Sequence, residues 1–139
     1  MIIALAIDDL GGMTFNKRRV SRDKELIRDL IEQSEALGSG VIYVNEYSEP
    51  LFSDAEVGII SVPDPLEVAG EAATVFIENK DPSPYAKKAE KFLIYKWNRR
   101  YPSDLKFTLD LKKAGFKLVA TEDFAGNSHE KITREVYTK

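Results

Sequence analysis

The chain contains no cysteine. Its 139 residues therefore hold no disulfide, no thiolate-bound zinc and no thiol nucleophile. It has a single histidine, His129, so multi-histidine metal centres are excluded and any imidazole chemistry rests on one residue. An excess of one charge sign is lacking as well: 20 Lys+Arg against 23 Asp+Glu leave a net charge of −3. Such a chain is a poor general nucleic-acid binder, because neutralising phosphates takes a basic face. Long hydrophobic runs are missing. The opening run Ile2–Ile7 is too short for a secretory signal and has no basic flank or cleavage site. No stretch approaches the ~20 apolar residues of a membrane span. The expectation is a soluble, cytoplasmic protein without membrane contact. No internal repeat, low-complexity tract or Pro/Gly/Ser linker interrupts the chain, so residues 1–139 read as one domain.

What is present is a sequence of buried-strand and helix signals. Ile2–Ile7 is a continuous apolar run, the pattern of a strand covered on both faces. Asp9–Val20 reads as a loop punctuated by Gly11-Gly12. Ser21 reads as a helix N-cap, with Asp23 and Glu25 favourable in the first turn. Leu26, Ile27, Leu30, Ile31 and Leu37 recur at helical spacing, and Gly38-Ser39-Gly40 ends the helix. Val41–Val44 is a second buried strand, which makes a βαβ unit and a parallel sheet. Further strands are expected at Val57–Val62, Ala73–Ile77, Lys91–Trp97 and Leu105–Leu109. Short helical turns are expected at Leu66–Gly70 and Tyr85–Glu90. Phe116–Phe124 and Lys131–Tyr137 alternate around Gly126-Asn127-Ser128 and read as a C-terminal antiparallel hairpin. The fold class is α/β, with a mixed, mostly parallel central sheet flanked by helices.

That order resembles the dihydrofolate reductase fold, and the resemblance extends to residues. Ala4-Leu5-Ala6-Ile7-Asp8 followed by Gly12-Met13 resembles the reductase opening strand and its glycine-containing loop. Asp23 lies near where that family keeps its single active-site carboxylate. Lys88–Tyr95 resembles the approach to a late central strand, and Asp104–Phe107 and the final hairpin keep similar spacing. The resemblance implies an NADPH cofactor, but the chain departs from the pattern at several places. The family's Gly-Gly pair after the strand ending at Ile77 is replaced by Glu78-Asn79, which removes close backbone approach and adds repulsion toward a pyrophosphate. The cofactor turn after the second strand reads Asn45-Glu46-Tyr47-Ser48, without arginine. The substrate-loop Pro-Trp pair is absent, with Arg18-Arg19-Val20 nearby. No arginine for a folate carboxylate stands around Ala55-Glu56. Phe15–Arg19, Tyr95–Arg99 and Thr121–Gly126 also resemble small bacterial proteins carried under a ribonuclease Z name. The histidine cluster of a two-zinc nuclease cannot be built from one histidine.

The candidate site residues follow. Lys17, Arg18 and Arg19 lie between the first strand and the first helix, where a strand end and a helix N-terminus favour an anion; a solvated basic loop is the plain alternative. Asp23 is the general-acid candidate by position, with burial expected to raise its pKa; a helix-capping aspartate is the alternative. Tyr95 and Trp97 share one strand face and could stack on a flat ligand or fill the core. Asn98-Arg99-Arg100 adds polar groups at that strand's end. His129 reads as an exposed loop histidine, and Asp8-Asp9 carries only a faint Mg²⁺ signal. The reading is a reductase-like protein without standard reductase activity. It uses Lys17, Arg18, Arg19, Trp97, Arg99 and Arg100 for a small anionic, nucleotide-like ligand, with Asp23 and Tyr95 as the catalytic candidates. The alternatives are an NADPH-dependent reductase with a remodelled cofactor site, and a protein-interaction module presenting Tyr47, Phe52 and Tyr101. Composition and pattern leave ligand identity and oligomeric state open.

Overall fold

The structure is a computed structural model and describes residues 1–55 and 58–139. Strand β1 (Ile2–Ile7) lies inside a seven-stranded sheet. Ile2 and Ala4 enter one core cluster and Ile3 and Leu5 the other, so every position must be apolar. Strands β2 (Gly12–Phe15) and β3 (Arg18–Arg19) then form a tight hairpin where a loop was expected. Asn16 and Lys17 carry it at φ 50° and 64°. Asparagine favours that left-handed geometry and lysine does not, which hides the turn in the sequence.

Helix α1 (Lys24–Leu37) follows, and its N-cap is Asp23 rather than Ser21. Asp23 is extended (φ −157°, ψ 131°), and its carboxylate accepts from the Glu25 N–H at 2.8 Å. Ser21 lies too far upstream to reach the first turn and bonds elsewhere. The helix buries Leu26 and Leu30 against the sheet. It ends at Gly38, where a Cβ would stand 2.2 Å from the Ala72 carbonyl oxygen.

The remaining elements are β4 (Ile42–Val44), a 3-10 turn (Glu49–Phe52), β5 (Ile59–Ser61), α2 (Pro65–Val68) and β6 (Thr74–Phe76). A second 3-10 turn (Ser83–Lys88) leads to β7 (Lys91–Lys96), β8 (Leu105–Lys106), β9 (Lys117–Phe124) and β10 (Ile132–Thr138). The strand expected from Val57 is shorter, at Ile59–Ser61; Glu56 and Val57 lie outside the described residues. The strand expected over Leu105–Leu109 contracts to two residues, pairing with β2 in a small separate sheet ordered β3-β2-β8.

The large sheet runs β5-β4-β6-β1-β7-β10-β9. The first five strands are parallel, and β10 and β9 close it as an antiparallel hairpin. Helix α1 covers one face, over Phe76, Tyr95 and Trp97. The other face carries Phe92, which packs edge-on to Phe116 at 5.1 Å. Among the described residues, no helix is long and apolar enough to cross a membrane.

This topology sets the position of the loops. The carboxyl ends of the five parallel strands share one edge, where α/β proteins gather ligands. Because β9 and β10 reverse direction twice relative to β7, the β9–β10 loop returns to that same edge. His129 therefore meets the end of β7 and the start of α1.

Candidate functional site

The site begins with Asp23. Its position before α1 gives it the Glu25 N–H, and the β9–β10 loop supplies the rest. The N–H groups of Asn127 and Ser128 donate to its two oxygens at 2.8 Å each, and His129 Nδ1 lies 2.8 Å from Oδ2. Gly126 is required by this closeness: a Cβ there would stand 2.6 Å from Asp23 Oδ2 and 2.8 Å from the His129 carbonyl oxygen. Burial alone pushes the Asp23 pKa up. The Asn127 N–H, the His129 ring and the Ser128 and Glu25 N–H groups outweigh it and hold the carboxyl far below the usual carboxylate range. The expected upward shift is therefore reversed, and an ionised, fully enclosed carboxylate is not a proton donor near neutrality.

His129 is likewise not the exposed loop residue that the sequence suggests. It is 6% exposed and stacks on Trp97, with ring centroids 4.6 Å apart and planes 28° apart. Its Nε2 faces Ser21 Oγ at 2.8 Å and the Tyr101 hydroxyl at 3.3 Å. Trp97, buried beneath it, is committed to this stack rather than offered to a ligand. The sequence signal for this cluster is weak, because its members come from three separate segments. Sequence reasoning missed His129 and Ser21.

Tyr95 shares the Trp97 face, as strand spacing requires, but is fully buried under α1. Its hydroxyl donates to Asp29 at 2.6 Å, and Arg134 pairs with the same carboxylate. Burial first, and then the Asp29 charge, push its phenol well above the ordinary value. Tyr95 holds α1 to the sheet and does not open onto a cleft with Asp23.

The basic clusters separate. Arg19 leaves its neighbours and reaches the end of β6, where Glu78 accepts from its Nε at 2.9 Å and its Nη2 at 3.1 Å. Ser48, fully buried, donates to the same carboxylate at 2.7 Å, and the guanidinium lies 4.6 Å above the Tyr47 ring. Asn45 donates to Asn79 at 2.9 Å beside it. These contacts bridge the carboxyl ends of β4 and β6. Lys17, Arg18 and Arg99 are exposed, and Arg100 lines a cavity of about 420 Å³ with Leu10, Tyr101 and Lys106. Asp8 accepts from the N–H groups of Leu10, Gly12 and Tyr101, so its carboxylate is an organiser of loops rather than a cation ligand.

A larger cleft, about 570 Å³, runs between α1 and the Glu49–Phe52 turn. Ile27, Ile31 and Leu51 form its apolar wall, and Arg22, Lys24 and Arg28 stand on it together with Asp54, Arg28 being paired with Glu25 at 3.4 Å. Its size falls in the range of small-molecule sites. Helical spacing of Lys24 and Arg28 places the two cations on one face, a signal that the sequence holds but that the adjacent Lys17–Arg19 cluster overshadows. Of the residues expected to present a protein-binding surface, Phe52 is buried against Phe76 and Tyr47 carries Arg19. Tyr101 turns into the His129 cluster.

Nicotinamide dinucleotide, implied by the resemblance, does not fit this strand edge. Where its pyrophosphate needs bare backbone, Glu78 is buried and tied to Arg19 and Ser48.

No protein-family description matches the chain, and no curated protein sequence matches it. A solved dihydrofolate reductase from Enterococcus faecalis, complexed with NADP(H) and RAB-propyl, is similar to it with a TM-score of 0.64. The match covers 99% of this chain and 95% of that one at 12% sequence identity. The architecture is thus a dihydrofolate-reductase-like α/β fold, with its mixed sheet and C-terminal hairpin, and nothing found supports the ribonuclease Z resemblance.

Proposed function

We propose that this chain uses a reductase-like fold to bind a small anionic, nucleotide-like ligand, without standard NADPH-dependent reduction, as a soluble cytoplasmic protein. The observation that carries the reading is the Arg19–Glu78–Ser48 closure at the ends of β4 and β6. It puts a buried carboxylate at the strand ends where the reductase resemblance implies a dinucleotide, while the α1 cleft stays open. An anion enters that cleft beside Arg22, Lys24 and Arg28, and its apolar part packs on Ile27, Ile31 and Leu51. Lys17, Arg18, Arg99 and Arg100 add a diffuse attraction from the neighbouring loops. The reductase alternative lacks its proton donor, because every strong acceptor position of Asp23 is already used.

A thermal-shift screen of nucleoside mono- and diphosphates and phosphorylated sugars tests this. A ligand at 100 times its Kd stabilises by about 2.7 kcal/mol, and a chain of this size then melts several degrees higher. R22E/R28E should abolish that shift, and R18E/R99E should only weaken it. The reading fails if no compound shifts the midpoint, or if millimolar NADPH shifts it and is oxidised with a pterin.

A further inference from the structure

Ser21, His129 and Asp23 meet in a linear relay that the ligand reading does not use. Asp23 Oδ2 lies 2.8 Å from His129 Nδ1, and His129 Nε2 lies 2.8 Å from Ser21 Oγ. An ionised carboxylate can only accept, so Nδ1 carries a proton, and in the neutral ring Nε2 is the acceptor for the serine hydroxyl. The ring cannot rotate out of this arrangement. It is stacked on Trp97 and enclosed by the β9–β10 loop.

The two buried members face inward, whereas Ser21 is only half-buried. It lines neither cavity itself, but its neighbour Arg22 lines the α1 cleft, and Tyr101, 3.5 Å from Ser21 Oγ, lines the cavity of Arg100. Nucleophile, base and orienting acid are recognised by these spatial roles, not by their order or spacing in a chain. The Tyr101 hydroxyl favours negative charge developing beside Ser21.

We propose that Ser21 is an activated nucleophile and that this site cleaves small carboxylic esters. Ser21 Oγ bonds to the ester carbonyl carbon as its proton passes to His129 Nε2. The carbon–oxygen bond to the alcohol then breaks, and the alcohol leaves with the proton returned by the imidazolium. Water adds to the acyl-Ser21 carbon, giving one proton to Nε2. The acid departs as that proton restores the Ser21 hydroxyl. Asp23 is a positioning residue: it fixes the tautomer and never takes the proton.

The test uses the full chain with p-nitrophenyl acetate and a fluorophosphonate probe, read by release of nitrophenolate and by intact mass. One phosphonyl adduct is expected, mapped to Ser21 and absent from S21A. H129Q should slow labelling about 10²-fold, the lower range for a general base. S21A removes only a half-buried hydroxyl, so its melting curve should stay close to that of the parent chain. Because there is one histidine, ¹⁵N-histidine labelling gives one imidazole spectrum, and it should show Nδ1 protonated with Nε2 bare. That readout holds even where H129Q fails to fold, and a merely structural contact with Ser21 would not produce the adduct. Folded parent protein that gains no adduct at Ser21, folded H129Q that labels at the parent rate, or an Nε2-protonated ring would each overturn the proposal. None of these outcomes depends on whether an anion binds the α1 cleft.

Discussion

Replacing Asp23 with alanine should strongly destabilise this protein, and the loss can be worked from its contacts. The carboxylate accepts from the N–H groups of Glu25, Asn127 and Ser128 and from His129 Nδ1, each at 2.8 Å. An unsatisfied buried donor costs about 1–3 kcal/mol. Asn127 and Ser128 are exposed and can take water, so the low end applies and the sum is about 4 kcal/mol. A domain is stable by only about 5–15 kcal/mol. With a urea slope of about 1–3 kcal/mol/M, the midpoint should fall by roughly 2 M. Trp97 is the only tryptophan and stacks on His129, so its fluorescence reports the affected region directly.

The pH dependence carries the same signature. The folded carboxyl titrates below its ordinary value of 3.8, so the unfolded chain binds the proton first as acid is added. The stabilisation is complete above the ordinary value and is lost as pH falls toward the depressed folded one. Parent stability should therefore drop below about pH 4, and D23A should drop less steeply. Asp8 is also held low, its burial outweighed by N–H bonds from Tyr101, Gly12 and Leu10, so the D23A curve is flatter rather than flat. A D23A midpoint within about 0.5 M of the parent, or an unchanged acid slope, would refute the view of Asp23 as the hub that joins α1 to the final hairpin.

Other outcomes follow from neighbouring contacts. G126A should cost about 1–3 kcal/mol in urea melts, because its Cβ meets a carboxylate and a backbone carbonyl, neither of which can retreat freely. R19A should cost about 2 kcal/mol, between the values for exposed and buried pairs, since Glu78 is buried but Arg19 is 24% exposed. R19E would place two carboxylates together and should be worse. Y95F should cost about 1 kcal/mol and leave ligand-induced shifts unchanged, which separates a tie between α1 and the sheet from a catalytic phenol.

Much of the fold was legible because burial on both faces imposes a continuous apolar run, and β1, β4, β6 and β7 each show one. The period of Leu26, Ile27, Leu30 and Ile31 marks α1 equally well, and Gly38 marks its end. The β2–β3 hairpin escaped, because Lys17 is an atypical residue for the left-handed turn it occupies. The sequence does not distinguish the cap, since Ser21 and Asp23 are both good caps and only the backbone decides between them. Strand periodicity places Tyr95 and Trp97 on one face, but it carries no information about what α1 or His129 lays over that face.

The amino-acid sequence by itself determined which chemistry is possible: without cysteine and with one histidine, the working groups are carboxylates, lysine amines, guanidinium groups, hydroxyls and a single imidazole. It also determined the strand–helix order from which the reductase-like architecture could be expected. The tertiary structure decided which groups meet. Asp23 and His129 are 106 residues apart, and Arg19 and Glu78 are 59 apart. Local patterning is blind at such separations, because these contacts arise only when the sheet order brings the final hairpin and the β2–β3 hairpin to one edge. There the Asp23 carboxyl becomes the fixed acceptor of a buried network, and an arginine that reads as ligand-binding closes the strand ends instead.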